Sequence, residues 1–260
     1  MADRLRELAD LAWRNVQSGY YDNPPEGRRL DLSLRGALEA CRGVALIAEI
    51  KFASPSRGTI RRTSNPSDLA ELMARGGAVG ISVLTEPQAF NGSLTGFVAV
   101  RERVDLPLLM KDLVVHESQL ECARRIGANA ILLIAELFTE GHTQRDLDEM
   151  IAYAHRLGLE VLLEAHRPAE LVQALDSAAD MIGINNRDLH TFHVDLEHSA
   201  RLLRAGLRLD GRPLVVESGV RCRADIERLL ALGARAFLVG SAIMEARDVV
   251  AKVRELVGPR

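Results

Sequence analysis

Cysteine is scarce and poorly placed for cross-linking. Cys41, Cys122 and Cys222 are odd in number and far apart, with no C-x-x-C pair. That excludes a disulfide framework and a zinc cluster, and marks the three as small core residues of a reducing compartment. Aromatic residues make up 4% of the chain and neither sign of charge dominates, the formal net charge being -3 with acidic and basic residues interspersed. A nucleic-acid binder needs a basic stripe and an anionic membrane surface needs a polybasic patch, so both drop out as partners. No apolar run approaches the roughly 18 residues of a membrane span. The opening MADRLRELADLAWRN is charged and helix-periodic, without the apolar centre of a signal peptide. The expectation is a cytoplasmic protein.

What is present is a repeat. Four segments, ARGGAVGISVL, RIGANAILLI, DSAADMIGIN and LGARAFLVG, each run from a helical stretch through a small residue and an alanine into an apolar strand, with the alanines at Ala78, Ala128, Ala179 and Ala234. A step of about fifty residues is too long for one βα unit and suits two. A second strand duly falls between each pair, as LPLLMK, LEVLLEA and RPLVVES, and VALIAEI at the start completes eight. Eight strands each followed by a helical pattern predict an α/β fold, a (β/α)8 TIM barrel. Pro107 and Pro213 stand at strand starts, where a missing backbone donor is tolerated. Between strands, Pro66 opens PSDLAELMARG with Gly76 and Gly77 expected past its end, HESQLECARRIG carries Leu120, Ala123 and Ile126, and TQRDLDEMIAYAHRLG carries Leu147, Ile151, Ala154 and Leu157 at helical spacing. RDLDEM and RLLRAGLRLDGR are charge-rich faces and turns that call for no function. With 260 residues and 47% hydrophobic composition, one domain spanning 1–260 is expected: an N-terminal helical extension over 1–43, with helices on Leu5, Leu8 and Leu11 and around Leu34 to Ala40, and a barrel over 44–257. The rival doubly wound sheet lacks an early G-x-G-x-x-G.

In such barrels the interior is filled by apolar side chains, and chemistry sits at the C-terminal strand ends. Those ends carry Glu49 and Lys51, Lys111, Glu164, Asn185, Glu217 with Ser218, and Gly240 with Ser241. One such charge is no more than a structural ion pair, but a coincidence at five strand ends is a different matter, because each desolvated charge costs several kcal/mol unless paired. The loops ESGVRCRADI and VGSAIM follow the last two strands, where barrels commonly hold phosphate. Gly219 and Gly240 permit close backbone approach to an anion and Ser241 offers a hydroxyl, although both glycines also suit ordinary strand-to-helix turns. SPSRG adds Ser54 and the restricted Pro55.

The motifs IAEIKFASPSRG at 47–58, LTEPQAFNGS at 84–93, LPLLMKDLVV at 106–115, GINNRDL at 183–189, VVESGV at 215–220 and FLVGSAIM at 237–244 resemble, in order, those of the indole-3-glycerol phosphate synthase family. The resemblance implies a carbon–carbon lyase of tryptophan biosynthesis. Such an enzyme closes the ring of 1-(2-carboxyphenylamino)-1-deoxyribulose 5-phosphate with loss of carbon dioxide and water. It implies Lys111 as general acid for ring closure, Lys51 as partner of the substrate carboxylate with Glu49 tuning it, and Glu164 as acid/base, with the Lys51–Glu49 couple competing for part of that step. Asn185, Glu217 and Ser218 support the lysines and the sugar hydroxyls. Phosphate falls to Ser54, Gly219, Gly240 and Ser241, with Arg187 contributing. Phe90 and Pro55 flank the aromatic ring.

The chain departs from the family pattern at Leu113, usually Phe, and at Phe52, usually basic, whose strand parity puts it outside the pocket. Glu136 is an extra acid near the mouth without an assignment. His190, His193 and His198 lack the ligand spacing of a metal site and are expected on a solvated loop. No metal and no cofactor is implied. The partner is a phosphorylated small molecule, and a monomer is the expected state. Two other readings compete: a barrel aldolase with Lys111 as a Schiff-base lysine, and a noncatalytic phosphosugar-binding protein; a related isomerase of the same pathway would want a Cys/Asp acid-base pair where Glu49 and Glu217 stand.

Overall fold

Alternation along each apolar segment decides what faces where. The computed structural model describes residues 3–61, 64–206 and 209–259; Met1 and Ala2 at the chain start, Leu207 and Arg208 in the charged turn, residues 62–63 and residue 260 lie outside the described residues. Among the described residues, eight strands form one closed parallel barrel: β1 (Ala45–Ile50), β2 (Gly80–Leu84), β3 (Leu108–Lys111), β4 (Ala130–Ile134), β5 (Glu160–Ala165), β6 (Met181–Asn185), β7 (Leu214–Glu217) and β8 (Ala236–Val239). Each pairs with the next in sequence, and β8 closes on β1 with Ala45 beside Ala236 and Ala48 beside Val239. The eight expected strands are therefore present in the expected order.

Residues of one parity, such as Leu46, Ala48 and Ile50 in β1 or Leu108 and Met110 in β3, join the cluster beneath the outer helices. Those of the other parity, Ala45, Ile47, Leu109, Leu132, Leu162, Met181, Val215 and Leu238, fill the barrel interior. Continuing that inner parity to the strand ends reaches Glu49, Lys111, Glu164, Asn185 and Glu217. The polar site is thus the top layer of a stack whose lower layers are hydrocarbon.

The expected helices between strands are present, including Pro66–Gly76, Glu117–Arg125 and Leu147–Arg156. One boundary differs. Gly76 is the last helical residue, and Gly77 alone caps it, with a left-handed φ of 108°. Gly76 is needed for packing, since a Cβ there would lie 2.5 Å from that of Val253. No described helix is long and apolar enough to cross a membrane.

The N-terminal helices α1 (Arg4–Gln17) and α2 (Leu34–Ala40) close the two ends of the barrel. Leu5, Leu8, Ala9 and Ala12 of α1 and Leu34 and Leu38 of α2 belong to the same apolar cluster as the barrel interior. α1 lies at the C-terminal rim, where the Trp13 indole donates to the His142 carbonyl at 2.7 Å and Tyr20 donates to the Thr85 carbonyl at 3.0 Å. α2 lies at the opposite end. Glu160, the first residue of β5, accepts the orphan N–H groups of Leu34 and Arg35 at 2.7 and 3.1 Å, capping the helix as its dipole requires. The link between α1 and α2 is tied down by Asn129, whose amide donates to the carbonyls of Leu30 and Leu32, each at 3.0 Å.

Candidate active site

Five strand ends meet around one ammonium group. Lys111 Nζ donates to Glu217 Oε2 at 2.6 Å and to Glu164 Oε2 at 3.3 Å. Asn185 Nδ2 donates to Glu164 Oε1 at 2.6 Å, which fixes the second face of that carboxylate. Across the mouth, Lys51 is hydrogen-bonded to Glu49. The three carboxylates are buried, while each ammonium retains 17% side-chain exposure toward the opening. Glycine makes room for this. A Cβ at Gly183 would run into the Glu217 carboxylate and lie 3.3 Å from Glu164 Cα, and one at Gly240 would run into Glu49. Gly240 therefore serves the carboxylate cluster, a role its sequence position did not disclose.

The charges do not cancel, since three carboxylates face two ammonium groups. Burial opposes charge on Lys111, but Glu217, Glu164 and Glu49 outweigh it and hold the ammonium pKa above its ordinary range. Burial pushes the Glu217 carboxyl up to about 8, against the pull of Lys111 and helped by the charges of Glu164 and Glu49. Burial also works to raise Glu49, but Lys51 and Lys111 prevail and its pKa is lowered. Glu217 is thus the carboxyl that takes up a spare proton, consistent with its Oε1 having no hydrogen-bond partner among the described residues.

All the site residues expected from sequence line a single pocket at this rim. Its polar lining includes Ser54, Ser218, Gly219, Gly240, Ser241 and Arg187. Ser54 Oγ is buried with no partner among the described residues, so it is placed to donate to a ligand. Ser218 and Gly219 adopt successive left-handed conformations, φ 64° and 91°, and the strained serine is held by Asn186 Nδ2, which donates to its carbonyl at 3.0 Å. Burial lowers the Arg187 pKa, and Nη1 donates to Ser56 Oγ at 3.1 Å and to the Phe192 carbonyl at 3.0 Å. Its apolar lining includes Phe90, Pro55 and Leu113, joined by Leu8, Ile134, Leu189 and Phe192. Phe52 is outside it, packed on the outer-helix cluster as its parity predicts.

Several lining residues were not foreseen. Leu8 comes from α1, where nothing in a helical periodicity distinguishes a leucine that faces a pocket from one that faces core. Glu86 and Asp112 sit inside the quoted motifs, yet both fall one or two residues beyond a strand, where parity no longer says which way a side chain points.

The histidine expectation needs correction. Only His193 is exposed; His190 and His198 are part-buried and engaged. His198 stacks on His166 with ring centroids 4.4 Å apart and bonds its carbonyl at 2.6 Å. His190 lies 3.0 Å from both Asp3 and Glu136. Glu136, unassigned from sequence, is a buried acid that also pairs with Arg167 at 2.8 Å and does not line the pocket. Glu136, Glu140 and His190 offer ligand atoms within 4.8 Å of one another, but the guanidinium already on Glu136 opposes a second cation there.

Comparison with known proteins bears on this geometry. The family model for indole-3-glycerol phosphate synthase matches residues 5–256. An indole-3-glycerol phosphate synthase of Dehalococcoides mccartyi (strain CBDB1) is 45% identical over 267 aligned residues, covering 99% of this chain and 96% of the relative. Those of Rhodopirellula baltica and Aquifex aeolicus are 44% and 39% identical, covering 85% and 90% of this chain and 83% and 88% of the relatives. Among solved structures, a thiamine phosphate pyrophosphorylase from Pyrococcus furiosus superposes with a TM-score of 0.58 at 18% identity, covering 86% of this chain and 96% of its own, a likeness of fold alone.

Proposed function

The chain belongs to the indole-3-glycerol phosphate synthase family, and from that premise we propose how its pocket converts 1-(2-carboxyphenylamino)-1-deoxyribulose 5-phosphate as a carboxy-lyase of tryptophan biosynthesis. The aryl ring lies against Phe90, Pro55 and Leu113, and the phosphate lies at Ser54, Gly219, Gly240 and Ser241. Arg187 closes over the phosphate side. This orientation stretches the ketone across the floor where Lys111 stands. Lys51 meets the ring carboxylate, and Glu49, hydrogen-bonded to it, orients that ammonium.

Ring closure joins the carboxylate-bearing aryl carbon to the ketone carbon, and the carbonyl oxygen gains a proton as the bond forms. Lys111 supplies it. Its raised pKa makes it a weak acid toward water, but a nascent alkoxide is a stronger base than any amine, so transfer runs downhill. The electron pair of the C–CO2 bond then returns to the ring as carbon dioxide leaves. In dehydration the new hydroxyl takes a proton from an acid and leaves as water while the nitrogen-bound hydrogen passes to a base, and a shift of one hydrogen from the neighbouring ring CH2 to nitrogen gives the indole. Glu164, bonded to both Lys111 and Asn185, is the acid/base for this step, and the directly paired Lys51 and Glu49 are a second proton couple for part of it.

One observation carries this reading: Lys111 is clasped between Glu164 and Glu217. The same clasp disfavours a Schiff-base lysine, which needs its amine neutral. The test is conversion of the carboxyphenylamino substrate, followed by the growth of indole fluorescence, with borohydride added to trap any imine. Product formation without added mass on Lys111 is expected. A static fluorescence change at stoichiometric ligand would instead indicate a binding protein, and a trapped adduct an aldolase-type mechanism.

A further inference from the structure

Glu86 is a buried carboxylate two residues beyond β2. Its oxygens accept four hydrogen bonds, every one from an uncharged donor. Oε2 takes the N–H groups of Ala89 and Phe90 at 2.6 and 3.1 Å, and Oε1 takes the N–H of Gln88 and the side-chain amide of Asn15, each at 3.0 Å. The Gln88 side chain returns to Asn15 Oδ1 at 2.9 Å, closing a ring of contacts between the loop and α1. Glu86's own carbonyl accepts from Gly92 at 2.8 Å, and Gly92 has no room for a Cβ, which would fall 2.6 Å from the Leu84 carbonyl oxygen.

The loop from Glu86 to Gly92 is therefore wound about one carboxylate, and Phe90 is the ring it presents to the pocket. A buried carboxylate without a cation is expensive unless its lone pairs are fully used. Here they organise three consecutive backbone N–H groups, a task a glutamine cannot perform because it has one acceptor oxygen. Asn15 contacts the loop without lining the pocket.

We infer that Glu86, braced by Asn15 of α1, is a positioning residue that fixes Phe90 and thereby sets affinity for the aryl end of the substrate. It acts on ground-state and transition-state binding alike, because Phe90 lies against the ring and away from the proton-transfer groups. The inference rests on the proposed placement of the aryl group against Phe90.

The test compares two probes: the substrate with its ketone reduced to an alcohol, which cannot cyclise, and glycerol phosphate, which keeps only the phosphate end. Glu86→Gln is expected to weaken the aryl probe about tenfold, to raise KM by a similar factor with kcat within about threefold, and to leave glycerol phosphate affinity unchanged. Asn15→Ala, which leaves the carboxylate in place should Glu86→Gln fail to fold, is expected to shift the same quantities in the same direction. Equal weakening of both probes would mean general loosening, and kcat falling at constant KM would mean a chemical role; either overturns the inference. Unchanged aryl affinity in both variants, while Phe90→Ala weakens it, also overturns the inference but leaves the placement of the ring standing. If the wild-type protein binds the aryl probe no more tightly than glycerol phosphate, the placement itself is wrong.

Discussion

Lys111, at the end of β3, and Glu217, at the end of β7, meet at 2.6 Å across the barrel mouth although 106 positions separate them in the chain. Glu164 and Asn185 extend that contact into a continuous hydrogen-bonded array from β3 through β5 and β6 to β7. The arrangement holds one ammonium among more carboxylates than it can neutralise, so the site holds a proton in reserve.

Replacing Lys111 by Ala should lower kcat by about 10^2 to 10^4-fold, the range for loss of a positioned general acid. The fold should survive, because Glu217 already has its pKa pushed up to about 8 and can take a proton in place of the lost partner. Indole fluorescence measures the first effect and circular dichroism the second. Turnover at the wild-type rate would reject the assignment. Glu164→Gln should instead slow a step after ring closure, seen in single-turnover traces as an intermediate that forms and then decays slowly.

Gly183→Ala should move Glu217. The added methyl occupies space now held by its carboxylate and presses on the β5 backbone. Activity should fall on the order of tenfold or more, and a crystal structure should show the Lys111–Glu217 contact lengthened. Wild-type kinetics in this variant would show that the clasp is dispensable.

Asp112 should make stability fall as pH rises. Burial pushes its carboxyl up to about 7 from an ordinary 3.8, against hydrogen bonds from Thr85 and Leu113 that favour the charged form. A raised folded-state pKa stabilises the protein fully below the unfolded value, and that stabilisation is lost as pH climbs through the folded one. Denaturation midpoints of wild type minus Asp112→Asn should therefore decline between about pH 4 and pH 7. A flat difference would place the proton elsewhere.

His190 should tether the start of α1 in a pH-dependent way. Burial opposes its charge, but Glu136, Asp3 and Glu140 outweigh that and raise its pKa above 6.5. The tether is complete below that value and is lost as pH rises through the raised one. Arg167 also pairs with Glu136. After correction for intrinsic rates, hydrogen exchange in the first turn of α1 should quicken from about pH 6 to about pH 8, and His190→Gln should abolish the change. Equal behaviour of the two proteins would count against the tether.

Much of this molecule was legible in one dimension. Strand identity followed from apolar runs punctuated by alanine and glycine, and alternation carried Glu49, Lys111, Glu164, Asn185 and Glu217 to one layer, because side-chain parity is a property of the backbone alone. The extension's helices were visible for the same reason, in the period of Leu5, Leu8 and Leu11. Parity fails once a strand ends. Whether Glu86 turned toward Phe90, whether His190 met Glu136 or water, and whether Gly240 also made room for Glu49 depended on loops folding back over the rim. Those choices belong to the tertiary structure, since each is made by contacts between segments that only the closing of the barrel brings together.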